Sequence, residues 1–351
     1  MKGKIATLLV CLLALALIMA ACDRVGKKAA KEEAAAVGRL QIIKDRGQVI
    51  VGCNAELPGF GYINPAGEFE GFDVDFGKAI AAAVFGDATK VEFRPLTAPE
   101  RLPALQTGEI DVLLRNTTWT LTRDTANELD WAAVTFYDGQ GMMVRKATGW
   151  KTFEDMEGAT VSCTTGTTTE MNLADAFRSR GIEYTPLLFE STQDTATAYE
   201  EGRADAETSD KSQLAALRSA MANPAEHVIL DVTMSKEPLG PLTAHGDNQW
   251  NDVVRWVAWG MMQAEESGVN SQNVDAMLSS KDPTIQRLLG VSGEMGTSLG
   301  LSDDFMVPVL KQVGNYEEVY NRHLGPEGIN IPRGPNRLWN DGGLLYPMAF
   351  R

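Results

Sequence analysis

The chain has 351 residues, 44% apolar and 23% charged, with a formal net charge of −15. That length exceeds what one modest core covers and predicts two lobes or domains. The negative charge speaks against nucleic acid, whose binding rests on cationic contacts to phosphate.

At the N-terminus, Lys2 and Lys4 precede the apolar run 5–19, long for a signal core and short of a comfortable membrane span. Small residues Ala20 and Ala21 then lead into Cys22. This resembles a bacterial lipoprotein signal, with Met19 where leucine is usual. The expectation is a signal peptide over 1–21 and a lipidated Cys22; ordinary signal cleavage nearby, with Cys22 incidental, is the alternative. Residues 22–38 are mainly Ala, Lys and Glu and carry too little apolar surface to pack, which predicts a tether. Cys11 leaves with the signal, so Cys53 and Cys163 remain as thiols. Both flank apolar strand-like runs and are expected to pack in cores, with a disulfide between them left open. No CxxC or Cys/His spacing is present, so neither a metal nor a cofactor is expected.

Folding is expected to start near Arg39. "RLQIIKDRGQVIVGCN" predicts a short helix, a stop at Gly47 and a strand over Val49–Cys53. "GYINPAGEFEGF" reads as a hairpin-like excursion with turn signals at Asn64-Pro65 and Gly67. "DVDFGKAIAAAVFG" reads as a helix with Asp73 as N-cap, Phe76, Ile80 and Val84 on one face, and Gly86 as its end. Strand, helix and strand follow in "VEFRPL", "APERLPALQTG" and "IDVLL". A second run repeats the plan: "ATVSCTTG", "YTPLLFE" and "ADAETSD" as strands, each followed by a helix. This alternation predicts an α/β layer fold.

An internal match supports two lobes of similar build. "LQTGEIDVLLRNTT" and "YEEGRADAETSD" both run helix end, glycine, two residues, aspartate, small apolar strand, then polar residues. Gly108 then corresponds to Gly202, and Asp111 to Asp205. Residues 139–147 are expected to carry the chain out of the first lobe and 235–247 to return it. The remainder is mainly helical, with Val253, Trp256, Val257 and Met261 at core spacing. The Gly- and Pro-broken tail is expected to wrap the first lobe.

Two stretches concentrate chemistry. "NTTWTLTR" (116–123) gathers hydroxyl and amide groups beside Arg123. A guanidinium offers two parallel donors to a carboxylate, and hydroxyls can fill its remaining lone pairs. Such clusters often do no more than satisfy turn and helix-start groups. In "GTTTE" (166–170), Thr167 and Glu170 have capping-box spacing, opening a helix whose N-terminus favours an anion.

"GFDVDFGKAIAAAV" (71–84) resembles the signature of the family 3 bacterial solute-binding proteins, which capture amino acids for ABC importers. "LPALQTGEIDVLL", "KTFEDMEGATVSCTTGTTTE" and "GRADAETSD" are similar to further stretches of that family. "LPGFGY", "RNTTWTLTRDT", "FYDGQG" and "SKEPLGP" resemble its general L-amino-acid-binding members. The resemblance spans roughly residues 39–351. It implies a two-lobed periplasmic-binding-protein fold of the Venus-flytrap kind (type II), with two crossing hinge segments. Lobe 1 would comprise 39–143 and 241–351, and lobe 2 would comprise 144–240.

By the same resemblance, Thr118, Thr120 and Arg123 bind a ligand α-carboxylate, with Thr117 beside them contributing through its backbone. Thr168, after Thr167, touches that carboxylate from the second lobe, and Asp210 receives the α-ammonium. Asn54 and Arg101 fall near side-chain positions; Arg101 either pairs with acidic ligands or coats a helix face. The family shows more residues than here between the hydroxyl cluster and its arginine. The implied protein is a monomer, lipid-anchored in the cell envelope. It would close on a free L-amino acid of broad type and deliver it to a permease with its ATPase. The alternatives are an enzyme on the same fold acting on a small amino-acid-like substrate, and an extracellular sensor. No GxSxG, HExxH, P-loop or dinucleotide fingerprint is present, and the chain carries no output domain of its own.

Overall fold

A computed structural model describes residues 37–351. The expected signal over 1–21, the lipidation of Cys22 and nearly all of the tether lie outside the described residues. The expected helix forms over Arg39–Arg46 and is described by itself; Gly47–Arg351 is a separate unit.

In that unit the strands, in chain order, are β1 (Val49–Cys53), β2 (Glu56–Leu57), β3 (Gly61–Ile63), β4 (Phe69–Glu70), β5 (Val91–Pro95), β6 (Val112–Leu114), β7 (Leu129–Trp131), β8 (Phe136–Asp138), β9 (Gln140–Arg145), β10 (Thr160–Thr164), β11 (Thr185–Phe189), β12 (Ala206–Asp210), β13 (His227–Ile229), β14 (Glu237–Leu239) and β15 (Leu242–Ala244). One sheet has the order β5-β1-β6-β15-β7 and the other β11-β10-β12-β9-β13. In each, the first three strands run parallel and the last two join antiparallel. β2, β3 and β4 form the expected hairpin excursion. β8 and β14 pair with each other, outside both sheets, where the chain passes between lobes.

Residues 139–147 are therefore not the passage itself. β9 lies in the second sheet from its start, with Gln140 opposite Asp210, so a lobe boundary at 143/144 would cut this strand. Met142, Met143 and Val144 are fully buried there, and an apolar run of that kind belongs inside a sheet covered on both faces.

The internal match has one physical basis in both lobes. Gly108 and Gly202 adopt φ 77° and 81°, a turn that an L side chain resists. Asp111 then accepts a hydrogen bond from Ile50 N–H at 2.7 Å and donates its own N–H to the Ile50 carbonyl. Asp205 does the same with Thr160, its carboxylate 2.9 Å from that N–H. Each aspartate thus pins the parallel strand beside it, β1 in one lobe and β10 in the other.

The signature helix spans Phe72–Phe85, and its N-cap is Gly71 rather than Asp73. Gly71 has φ 141°, and a Cβ there would sit 2.2 Å from the Phe60 carbonyl oxygen, which leaves no room for a capping side chain. Asp73 lies within the first turn and reaches out of the helix instead. Asp75 is buried under His323 Nε2 at 2.7 Å and Arg322 Nη1 at 2.5 Å, joining this helix to Tyr316–His323. Burial pushes the Asp75 carboxyl up. The His323 hydrogen bond and the charges of His323, Lys78 and Arg322 outweigh burial and hold it below the usual range. Asp75→Asn should cost about 2 kcal/mol in urea unfolding. This contribution is present above the unfolded-state value and is lost as pH falls through the lowered native one, so the gap between variant and parent should close in acid.

Phe136 of β8 stacks on Tyr320 at 6.3 Å within an aromatic cluster that includes Phe60, Phe72 and Tyr316. The tail reaches the same strand from behind. Asn336 accepts from Tyr137 N–H at 2.6 Å and donates to the Tyr137 carbonyl at 3.0 Å. Arg333 holds that stretch in place, paired with Glu265 at 2.9 Å and lying over the Tyr316 and Tyr320 rings. Cys53 and Cys163 are buried free thiols whose pKa values burial raises.

Candidate functional site

The hydroxyl-rich segment follows β6 and is shaped by groups far away in sequence. Asn116 has φ 33°, an uncommon conformation for a residue with a side chain. Its N–H is held at 2.8 Å by the Asp73 carboxylate, which is the use the signature acid serves here. Burial raises the Asp73 carboxyl to about 7, against the Asn116 hydrogen bond and the Arg115 charge. Next, Thr118 bridges Leu239, and Trp119 N–H donates to the Pro238 carbonyl at 2.8 Å. The segment is therefore bonded directly to the returning crossing strand, β14.

Thr120 caps the short helix Leu121–Thr125, accepting from Arg123 N–H at 3.2 Å. That cap places Arg123 in the first turn, and its Nη1 donates back to the Thr118 carbonyl at 2.9 Å. Arg123 is buried, which lowers its pKa, while Glu237 and Asp210 oppose the shift. Thr117 is also fully buried. Its hydroxyl donates to the Arg115 carbonyl at 2.7 Å, and its own carbonyl accepts from Trp131 Nε1 at 3.3 Å.

In the second lobe, Thr167 is the N-cap of the helix Thr168–Arg178. It accepts from Glu170 N–H at 3.4 Å and donates to the Thr164 carbonyl at 2.6 Å. The expected capping box closes only on that side. Glu170 reaches past the cap residue to Gly166 N–H and the Thr165 hydroxyl, at 3.0 and 2.9 Å. Asp210 ends β12 at the N-cap of the helix Lys211–Ala220, yet its side chain makes no capping bond. It is buried in the cleft. Burial pushes its carboxyl well above the ordinary range, aided by Asp138 and Glu237 and opposed by Arg123 and Arg101.

The lobes meet at a cleft lined by Arg101, Arg115, Thr118, Thr168, Asp210 and Gln213, with Thr167 at its edge. Thr118 and Thr168 hydroxyls stand 3.5 Å apart across it, and Asn116 donates to Gln213 at 3.1 Å. Arg101, at the start of the helix Arg101–Thr107, is 3% exposed, and its Nε has no acceptor among the described residues. Burial lowers its pKa well below the ordinary value, and the neighbouring Arg115 and Arg123 charges add to that. Of the residues singled out in the sequence, Arg101, Thr118, Thr167, Thr168 and Asp210 share this cleft. Thr117, Thr120 and Arg123 are not among the residues lining it, although the Arg123 charge acts on Asp210, and Asn54 lines an adjoining hollow.

Glu237 of β14 was not singled out. It is 1% exposed, and its Oε2 accepts from the Thr118 hydroxyl at 2.5 Å and the Thr168 hydroxyl at 3.1 Å. Its Oε1 accepts from Asn172 at 2.9 Å and from the Ser235 hydroxyl. A hinge carboxylate thus receives one hydroxyl from each lobe. Its only sequence signal is its place in "SKEPLGP". No group of three His, Cys, Asp or Glu residues is placed to hold a metal among the described residues.

Residues 49–288 match the model of the bacterial extracellular solute-binding proteins, family 3. The general L-amino acid-binding periplasmic protein AapJ of Rhizobium johnstonii is 47% identical over 91% of this chain and 94% of its own. The glutamate/glutamine/aspartate/asparagine-binding protein BztA of Rhodobacter capsulatus is 45% identical over 91% and 95%. An ABC transporter periplasmic binding protein from Brucella ovis, solved with glutathione bound, is 46% identical. It superposes with a TM-score of 0.88, covering 90% of this chain and all of that one. The match over the sheet-bearing residues, together with these full-length relatives, shows that the chain belongs to the family 3 extracellular solute-binding proteins and has their two-lobed fold.

Proposed function

We propose that this chain is the substrate-binding component of an ABC importer for L-amino acids of broad type. The observation that carries the reading is a closed interlobe cleft with a buried guanidinium, Arg101, and a buried carboxyl, Asp210, of opposite charge sign facing one space. A free amino acid carries one carboxylate and one ammonium, and enclosing either without a partner is costly. Arg101 supplies donors to the carboxylate, with Thr118 and Thr168 beside it. Asp210 takes the ammonium, and the arriving cation favours its ionised form. Arg123 fixes the Thr118 carbonyl and so the cradle, and its charge acts on Asp210.

Closure follows from ligand preference for the closed state. The closed form is what a permease and its ATPase would read, with the monomer held at the membrane by acyl chains on Cys22. The relatives' names, all of binding proteins, support transport over turnover or sensing. Calorimetry of residues 39–351 against the common amino acids tests the reading directly. Asp210→Asn should weaken them by at least about tenfold while sparing analogues that lack the amine. Equal loss for both classes would remove Asp210 from the ammonium role.

A further inference from the structure

Glu237 dictates which way the two threonines that meet across the cleft point their protons. A hydroxyl has one proton and two lone pairs, whereas a carboxylate only accepts. Glu237 Oε2 takes the Thr118 proton at 2.5 Å and the Thr168 proton at 3.1 Å. Its Oε1 accepts from Asn172 at 2.9 Å and from the Ser235 hydroxyl, so the carboxylate is fixed at both oxygens. Both threonine protons therefore point at the hinge strand β14, and the two hydroxyls present lone pairs to the cleft. Glu237 is not among the residues lining the cleft, so it acts through them.

Lone pairs call for a donor. Thr118, Thr168 and Asp210 line one enclosed space of about 20 Å³, where a single water needs roughly 10–15 Å³ on this measure. The three acceptors thus face room for little more than one water-sized group, and an ammonium is of that size. An α-ammonium has three N–H donors. Asp210 supplies the opposite charge, and each hydroxyl supplies one acceptor. Thr118 comes from the first lobe, Thr168 from the second and Glu237 from the segment between them, so the set is complete only when the lobes are closed. The ligand carboxylate is left to Arg101 and to the first-turn N–H groups of the helix Thr168–Arg178, which have no carbonyl partner within the helix.

We propose that Glu237 is a positioning residue for the ligand's ammonium. By taking both threonine protons it makes Thr118 and Thr168 acceptors, which complete with Asp210 a three-acceptor site for the N–H groups of an α-amino acid. This rests on the amino-acid reading above, and it moves the two hydroxyls from the carboxylate to the ammonium.

The test is calorimetry with L-alanine and N-methyl-L-alanine, whose methyl takes the place of one N–H. The parent should prefer L-alanine by at least about tenfold, the worth of one charge-assisted hydrogen bond. Thr168→Val keeps the side-chain shape and loses the acceptor. It should weaken L-alanine by at least about tenfold and N-methyl-L-alanine by no more than about twofold, because the methyl then replaces an N–H that has no acceptor. Thr168→Ser, which restores the hydroxyl, should keep the parent's preference. Glu237→Met frees both threonine protons to face the cleft and should erase the preference. Each readout is a ratio between two ligands on one protein, so a smaller folded fraction does not move it. An equal loss of both ligands in Thr168→Val assigns the hydroxyl to the carboxylate and overturns the proposal. So does a preference that survives Glu237→Met, or a parent that binds both ligands alike. No heat from L-alanine with the parent removes the amino-acid reading as well.

Discussion

Arg101→Met should weaken amino-acid binding by about 100-fold or more and, in the same protein, raise the melting temperature of the ligand-free form. The two effects share one cause. The Arg101 guanidinium is buried, its Nε has no acceptor among the described residues, and burial with the Arg115 and Arg123 charges outweighs the opposing charge of Asp210, so the ligand-free fold bears a net cost there. Removing a buried cation that a ligand carboxylate would pair with costs about 2–5 kcal/mol of binding. Removing it without ligand relieves desolvation, and each kcal/mol gained moves the midpoint by about 2–4 °C in a protein this large. Differential scanning fluorimetry with and without ligand reads both arms. A variant that binds normally, or that melts lower without ligand, would show Arg101 to be a packing residue. This is the general tension between binding-site chemistry and stability in one side chain.

The second large effect lies away from the cleft. Glu207 is the second residue of β12, fully buried, and neither carboxylate oxygen has a hydrogen-bond partner among the described residues. Burial raises it to about 8 from the ordinary glutamate range. Between that range and about 8 the native state keeps a proton that the unfolded chain has released. Unfolding therefore releases a proton, and stability falls as pH rises, by about 1.4 kcal/mol per pH unit. Above the raised native value the loss levels off. Glu207→Met should flatten this dependence and leave the variant more stable than the parent at neutral pH. Urea titrations across pH 5–8 decide the matter, since a parent and variant with parallel pH profiles would mean that Glu207 is ionised and solvated in the native state.

Much of the fold was legible because the controlling signals are local. Strand and helix alternate at short range, glycines such as Gly86 and Gly108 close helices in the left-handed conformation, and the Gly108/Gly202 match recurs with the same aspartate pin. The site was legible in part. Thr118, Thr168, Asp210 and Arg101 line the cleft, and Arg123, expected at the carboxylate, is close enough for its charge to act on Asp210. Arg115 and Arg123 lie on either side of the same hydroxyl cluster. What separates them is the Thr120 cap, which fixes the turn on which Arg123 folds back onto the Thr118 carbonyl. Glu237 was invisible for another reason. It meets Thr118 across 119 residues of chain, a partnership that no local pattern encodes. Asp73 looked like a helix cap because acids do cap helices. Only the close approach of Gly71 to Phe60 shows that the cap position admits no side chain, which frees Asp73 for Asn116.

The grip of Asn336 on Tyr137 bears on how the jaws travel. A carboxamide presents the same donor and acceptor as a peptide unit, so this one side chain completes the outer edge of a crossing segment where another ribbon would otherwise lie. A ribbon must slide in register over several residues, whereas an amide can pivot about its own χ angles while keeping both bonds. On that edge the crossing segment is thus held by one carboxamide rather than by a second paired strand, while β14 lies along the other edge, and the fastener comes from beyond residue 288, outside the portion matched to the family.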